Sequence, residues 1–122
     1  MSLVFFFVFS LFAFAKPEIT AYYNPNCGCC TSYFSKLEKE GFKINKVKVS
    51  YEELDRIKSK LNIPINLRSC HTMVYDGRFI EGHVPPDGVR LVLRDKNIKG
   101  VGSPHGIKSG KGGYEDKYEV VK

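Results

Sequence analysis

The sequence predicts an α/β protein: a mixed four-stranded sheet flanked by helices, in the order β-α-β-α-β-β-α. Three observations predict it. Short β-branched and aromatic runs alternate with segments of helical apolar spacing through the first half of the chain. An Asp76-Gly77 pair then separates two further β-rich runs, a strong signal for a two-residue hairpin. Three of the four cysteines, Cys27, Cys29 and Cys30, crowd the turn between the first strand and the first helix.

The elements follow in order. "EITAYYN" (18–24) has the content of a short buried strand. Asn24-Pro25-Asn26 makes a turn in which Asn24 or Asn26 is placed to cap the next helix. From Cys29 to Glu40 the apolar positions Cys30, Tyr33, Phe34 and Leu37 recur at helical spacing, and Gly41 stops the helix. "FKINKVKV" (42–49) alternates into a second strand. Ser50 caps "YEELDRIKSKLN" (51–62), with Glu53 at the capping-box position and Leu54, Ile57 and Leu61 as its apolar stripe. The hairpin ends at Pro85-Pro86, and "PDGVRLVLRDKNI" (86–98) gives a third helix with Val89, Val92 and Leu93 on one face. Residues 99–122 are rich in Gly and Lys and read as a loop closed by a short strand at "YEVVK". Two strands joined by a helical crossover pair in parallel, and the hairpin adds an antiparallel pair. That order is the thioredoxin-like arrangement, and it puts the cysteine cluster at the entry of the first helix.

Size and composition limit the remaining choices. With 122 residues the chain makes one domain. Residues 1–15, an uncharged apolar run ending Ala13-Phe14-Ala15 before Lys16, have the small-x-small cleavage pattern of a secretory signal peptide. A retained anchor is the alternative, but the run is short for a span that needs ~20 apolar residues. The expected mature protein is 16–122, periplasmic or otherwise exported, with no membrane insertion after cleavage. A formal charge of +6 arises from lysines interleaved with glutamates, which describes solvated faces and not a nucleic-acid stripe.

Export places the cysteines in an oxidising compartment, where pairing is the default. Yet a Cys27-Cys30 bridge closes too short a loop to add much stability. The cluster therefore reads as chemistry. Cys27 and Cys30 have C-x-x-C spacing, and a helix N-terminus lowers a thiol pKa toward thiolate, which serves redox exchange and metal binding alike. Cys29 favours the metal: a dithiol redox centre gains nothing from a third sulfur, whereas a soft ion does. In the expected fold Cys70 and His71 begin the strand that faces this turn. Positions equidistant from Asp76-Gly77 pair across the hairpin, which sets Cys70 opposite His83. Thiolates with imidazoles suit Cu(I) or Zn(II). The alternatives are a thiol-disulfide oxidoreductase using Cys27-Cys30 and a zinc-stabilised binding module. Met73 reads as core packing, Glu81 as a surface carboxylate, and His105 as a solvated loop residue.

The order "CGCC", "LRSCHT", "DG" and "IEGHVP", with Tyr33, Leu37 and Gly41-Phe42 between them, resembles the CopG-type family. These are exported metal-binding proteins associated with copper resistance, long known only as a domain of unknown function. The likeness spans 19–96. It implies a thioredoxin-like fold holding copper, as a multinuclear thiolate cluster in one version, with Cys27, Cys29, Cys30, Cys70 and His71 as ligands and His83 on a family motif. Interconversion of Cu(I) and Cu(II), which would make the protein an oxidoreductase, is suggested for the family. Other exported copper-handling proteins are the expected partners. One departure stands out: the family's methionine-containing Gly/Pro segment is here "GVGSPHGIKSGKGG" (100–113), with His105 as the only obvious substitute donor.

Overall fold

The structure is a computed structural model that describes residues 16–122. The expected signal peptide over 1–15 lies outside the described residues. Its elements are β1 (Glu18–Tyr23), α1 (Gly28–Lys39), β2 (Lys43–Lys48), α2 (Tyr51–Lys60), a 3-10 turn (Ile65–Leu67), β3 (His71–Tyr75), β4 (Arg78–Glu81), α3 (Pro86–Arg94), β5 (Gly100–Gly102), α4 (Ile107–Gly110) and β6 (Glu119–Val121). The strands form one mixed six-stranded sheet in the order β2-β1-β3-β4-β5-β6. β1 pairs in parallel with β2, β3 runs antiparallel to both β1 and β4, and β5 lies parallel to β4.

The local chemistry behaves largely as the sequence implies. β1 buries alternate residues, Ile19, Ala21 and Tyr23. α1 buries Cys30, Tyr33, Phe34 and Leu37 against them. β2 is an edge strand with no fully buried residue, which accounts for its lysines. The Ser50 hydroxyl accepts from the Glu53 amide at 3.1 Å and caps α2, while the Glu53 carboxylate turns to Arg56 instead of closing the box. Asp76 and Gly77 both have positive φ (50° and 76°), as a type I′ hairpin demands, and the register sets Tyr75 opposite Arg78 and Thr72 opposite Glu81. Met73 is fully buried in the core with Ile80 and Val101.

Three expectations are corrected. The sheet has six strands, not four, because β5 pairs with β4 within the stretch read as loop and brings the terminal strand β6 onto the sheet edge. Its glycines are there for close approach: a Cβ on Gly100 would stand 2.5 Å from the Phe79 ring and from its carbonyl. α3 ends at Arg94 and not at Ile98, since the Asp95 carboxylate turns back to accept from the Asn97 amide at 2.9 Å. α1 is capped by neither asparagine. Its N-cap is Cys27, with no side-chain cap, while Asn24 ties the loop down by accepting from the Asn26 amide (3.0 Å) and donating to Val49 O (3.1 Å).

Candidate metal centre

The bare N-terminus of α1 meets the start of β3 at one end of the sheet, and the four cysteines gather there. Their sulfurs all lie within 4.8 Å of one another. Cys27 and Cys30 are disulfide-bonded, with Cα atoms 5.4 Å apart, while Cys29 and Cys70 are free thiols. Cys29 Sγ stands 3.5 Å from Cys27 Sγ and 4.0 Å from Cys70 Sγ. An ion with metal–sulfur bonds of about 2.3 Å in a tetrahedral shell separates its sulfurs by about 3.8 Å, and the observed spacings bracket that value.

Burial, and next the neighbouring Cys70, push the Cys29 thiol above its ordinary pKa, although the Cys29 and Cys30 amides at the helix start pull the other way. The expected lowering at the helix N-terminus is thus outweighed for this cysteine. Deprotonation there calls for a metal or another cation to take the charge.

His71 enters from β3, fully buried. Its Nε2–H donates to Gly82 O at 3.1 Å, which leaves Nδ1 as a bare lone pair 3.3 Å from Cys30 Sγ. Burial, then the nearness of His83 and Lys58, hold its pKa well below the ordinary histidine value. The ring is therefore neutral, the form in which imidazole ligates. Tyr33 stacks on it at 5.1 Å and on His83 at 4.6 Å, and donates its hydroxyl proton to Val84 O at 2.6 Å.

His83 departs from its expected station opposite Cys70. The β3–β4 ladder ends at Thr72–Glu81, and Gly82 then takes a positive φ of 79°. Only glycine fits there, because a Cβ would run into the Ser103 carbonyl and lie 3.3 Å from Ser69 Cβ. The turn carries the His83 ring to Tyr33 and to within 5.3 Å of the His71 ring. His83 Nδ1–H donates to Gly113 O at 2.8 Å, and Nε2 is buried with no hydrogen-bond partner.

Sequence reasoning misjudged or missed three contributors. His105, read as a solvated loop residue, brings Nδ1 to 3.6 Å from Cys70 Sγ. Lys58 and Glu81, read as solvated, are an ion pair exposed by only 6% and 0%. The Lys58 ammonium also reaches Thr72 Oγ1 (2.8 Å) and His71 O (3.2 Å), and Glu81 accepts from the Ser69 amide at 2.8 Å. The pair therefore fixes the segment that carries Cys70 and His71. A signal existed for Lys58, which lies four residues after Leu54 on the buried face of α2. Glu115 is the third: its carboxylate gathers the loop around His105.

Two solved structures match the chain. "Copper resistance protein copG- Form 2" is 32% identical with a TM-score of 0.73, covering 87% of each chain. Form 1 is 33% identical with a TM-score of 0.68, covering 74% of this chain and 70% of the other. The chain belongs to the CopG-type copper-resistance family. A family model described as a protein of unknown function, DUF411, also matches residues 67–112, a span that holds Cys70, His71, His83 and His105. No curated protein matches.

Proposed function

We propose that this member of the CopG-type family is an exported copper-binding protein that holds Cu(I) through Cys27, Cys29, Cys30, Cys70 and His71, for copper handling or resistance. The observation that carries the reading is the set of four sulfurs within 4.8 Å, with the bare Nδ1 of His71 3.3 Å from one of them. Soft thiolates with a neutral imidazole select Cu(I), with Zn(II) as competitor. Metal uptake at all four sulfurs first requires reduction of the Cys27–Cys30 disulfide, two electrons and two protons from a thiol reductant. In the opposite direction, the two thiolates giving one electron each to two Cu(II) would form that disulfide and two Cu(I), an oxidoreductase step. The order β2-β1-β3-β4, with a parallel pair beside an antiparallel hairpin, supports a thioredoxin-like core carrying two added strands. Export rests on the apolar run at 1–15, and no helix among the described residues is long and apolar enough to cross a membrane.

Anaerobic titration of reduced 16–122 with Cu(I) against a chromophoric chelator tests the proposal. At least one tightly held Cu(I), weakened by Cys29→Ser and by Cys70→Ser, is expected. Stoichiometry below one, or affinity indifferent to both substitutions, would overturn it. A second reading, thiol-disulfide exchange without metal, is favoured by the Cys27–Cys30 disulfide itself. It predicts disulfide reductase activity that survives loss of Cys29.

A further inference from the structure

The carboxylates of α1 and of the C-terminal segment beside it are each engaged by another group. Glu38 pairs with Lys46 at 2.9 Å and Glu40 reaches Arg90 at 4.0 Å. Asp116 pairs with Lys108, and the Glu115 carboxylate accepts from the Gly106 and Ser109 amides. Lys36, Lys39 and Lys111 are left exposed, with no ion-pair partner among the described residues.

These three cations share one face. Along α1, Cys29, Ser32, Lys36 and Lys39 follow the i, i+3, i+7, i+10 spacing, which puts them on one stripe about 15 Å long. Lys111 joins it from the side: a Cβ on the next residue, Gly112, would stand 2.6 Å from Ser32 Cβ and 3.8 Å from Cys29 O. The stripe borders an open groove of about 340 Å³ lined by Thr31, Ser32, Ser35, Lys36 and Lys39. That lining holds hydroxyls and ammonium groups and no carboxylate, so it presents hydrogen-bond donors to an anion. The helix dipole accounts for cations in the last turn of α1, but not for Lys111, which arrives from another segment. At the cluster end α4 packs against α1 and presents Ile107, a large apolar side chain left 81% exposed. Ile107 follows closely on His105, whose Nδ1 is 3.6 Å from Cys70 Sγ.

We propose that this face is a docking surface for a protein partner with an acidic segment, which it seats beside the mouth of the cysteine cluster. Carboxylates of the partner meet Lys36, Lys39 and Lys111, and an apolar side chain of the partner covers Ile107. Charge complementarity of this kind steers encounter and fixes register more than it adds affinity, which suits a partner that comes and goes. A lipid surface is the poorer match. Seating on a membrane asks for a whole apolar helix face, and Ile107 is the one large apolar residue of α1 or α4 left exposed. Use of the surface to pass copper between two proteins rests on the proposed function, but docking itself involves none of the proposed ligands.

The test is made on metal-free 16–122, so a failure of Cu(I) binding leaves it standing. A fluorescein-labelled synthetic peptide of glutamates interspersed with leucines is titrated by anisotropy at about 0.15 M salt, where charges more than ~8 Å apart are screened. Saturable binding is expected, with the amide shifts in two-dimensional NMR centred on 31–39 and 107–112. Lys36→Glu/Lys39→Glu should weaken it at least about 10-fold, and Lys36→Gln/Lys39→Gln by less. Lys96→Glu/Lys122→Glu makes the same change in net charge at the opposite end of the sheet, since Lys96 precedes Gly100 and Lys122 follows its partner Val121. That variant should bind within about 2-fold of the wild type. Equal losses in the two charge-reversed variants would reduce the effect to net charge and overturn the docking surface. Amide shifts spread over the whole chain would overturn it too, as would binding to phosphatidylglycerol vesicles with none to the peptide.

Discussion

Replacing Lys58 by Met removes the buried ammonium and keeps most of the aliphatic stem. The ammonium serves three acceptors at once: the Glu81 carboxylate, Thr72 Oγ1 and His71 O. Both partners of the ion pair are essentially out of water, at 6% and 0% exposure, so solvent cannot replace the lost cation. Burial already raises the Glu81 pKa, and Lys58 is the chief influence lowering it. Deleting one partner of such a pair costs roughly 3–5 kcal/mol, because the remaining charge is stranded. For a domain of this size that is a fall in Tm of more than about 10 °C. Urea unfolding of the metal-free protein measures it. The double variant Lys58→Met/Glu81→Gln, which strands no charge, should cost less than the two single changes together, with a coupling of about 2 kcal/mol. Since Glu81 also holds the Ser69 amide, the single variant should weaken Cu(I) binding too. A cost below about 1 kcal/mol for Lys58→Met, or strictly additive single changes, would refute the argument.

Stability of the metal-free protein should fall as pH drops. Burial holds the folded pKa of both His71 and His83 below the ordinary histidine value, so below about pH 6.5 the unfolded chain binds more protons than the folded one. The stabilisation is complete above that value and is lost as pH falls through it, with a limiting slope of about 2.7 kcal/mol per pH unit for two groups; a flat profile between about pH 7 and 5.5 would contradict this. Gly100→Ala, whose Cβ would meet Phe79 at 2.5 Å, should cost about 1–3 kcal/mol in urea. Gly28→Ala, with nothing within 4 Å, should be neutral or stabilising by up to ~1 kcal/mol in the same assay. Glu115→Ala should accelerate hydrogen exchange at the Gly106 and Ser109 amides while leaving β1 and β3 protected; unchanged exchange there would show that the carboxylate does not hold the loop around His105.

Elements with a strong local signature were legible in the sequence. The Asp76-Gly77 turn fixed the β3–β4 register, the Ser50 cap set the start of α2, and apolar spacing picked out the buried face of α1. What escaped is what depends on distant neighbours. β5 is three residues of Gly-Val-Gly whose strand character comes from pairing with β4 and β6 and not from propensity. Glycine there signals tight packing on Phe79 and Leu67, which composition alone cannot distinguish from a loop. At the candidate site, Cys70 and His71 could be placed because a strand start faces a helix start. His83 was placed opposite Cys70 by extrapolating a ladder that Gly82 ends. His105 could be named as the tail's one substitute donor but not placed: the loop that sets it beside Cys70 is gathered by Glu115, and no periodicity connects those residues.

The same four sulfurs can staple the chain on two very different length scales. A bond between Cys27 and Cys30 joins residues three apart and removes comparatively little from the freedom of an unfolded chain. A bridge from Cys29 to Cys70 spans 41 residues, and in the chain-entropy picture a closed loop of that size is worth about 4 kcal/mol. An ion held by both halves of the cluster, as proposed above, would be such a bridge. If a shared ion replaced the local disulfide, as the proposed function requires, it would turn a knot at one turn into a clasp joining α1 and β3. Resistance of the folded chain to proteolysis then becomes a direct gauge of what the cysteines are holding.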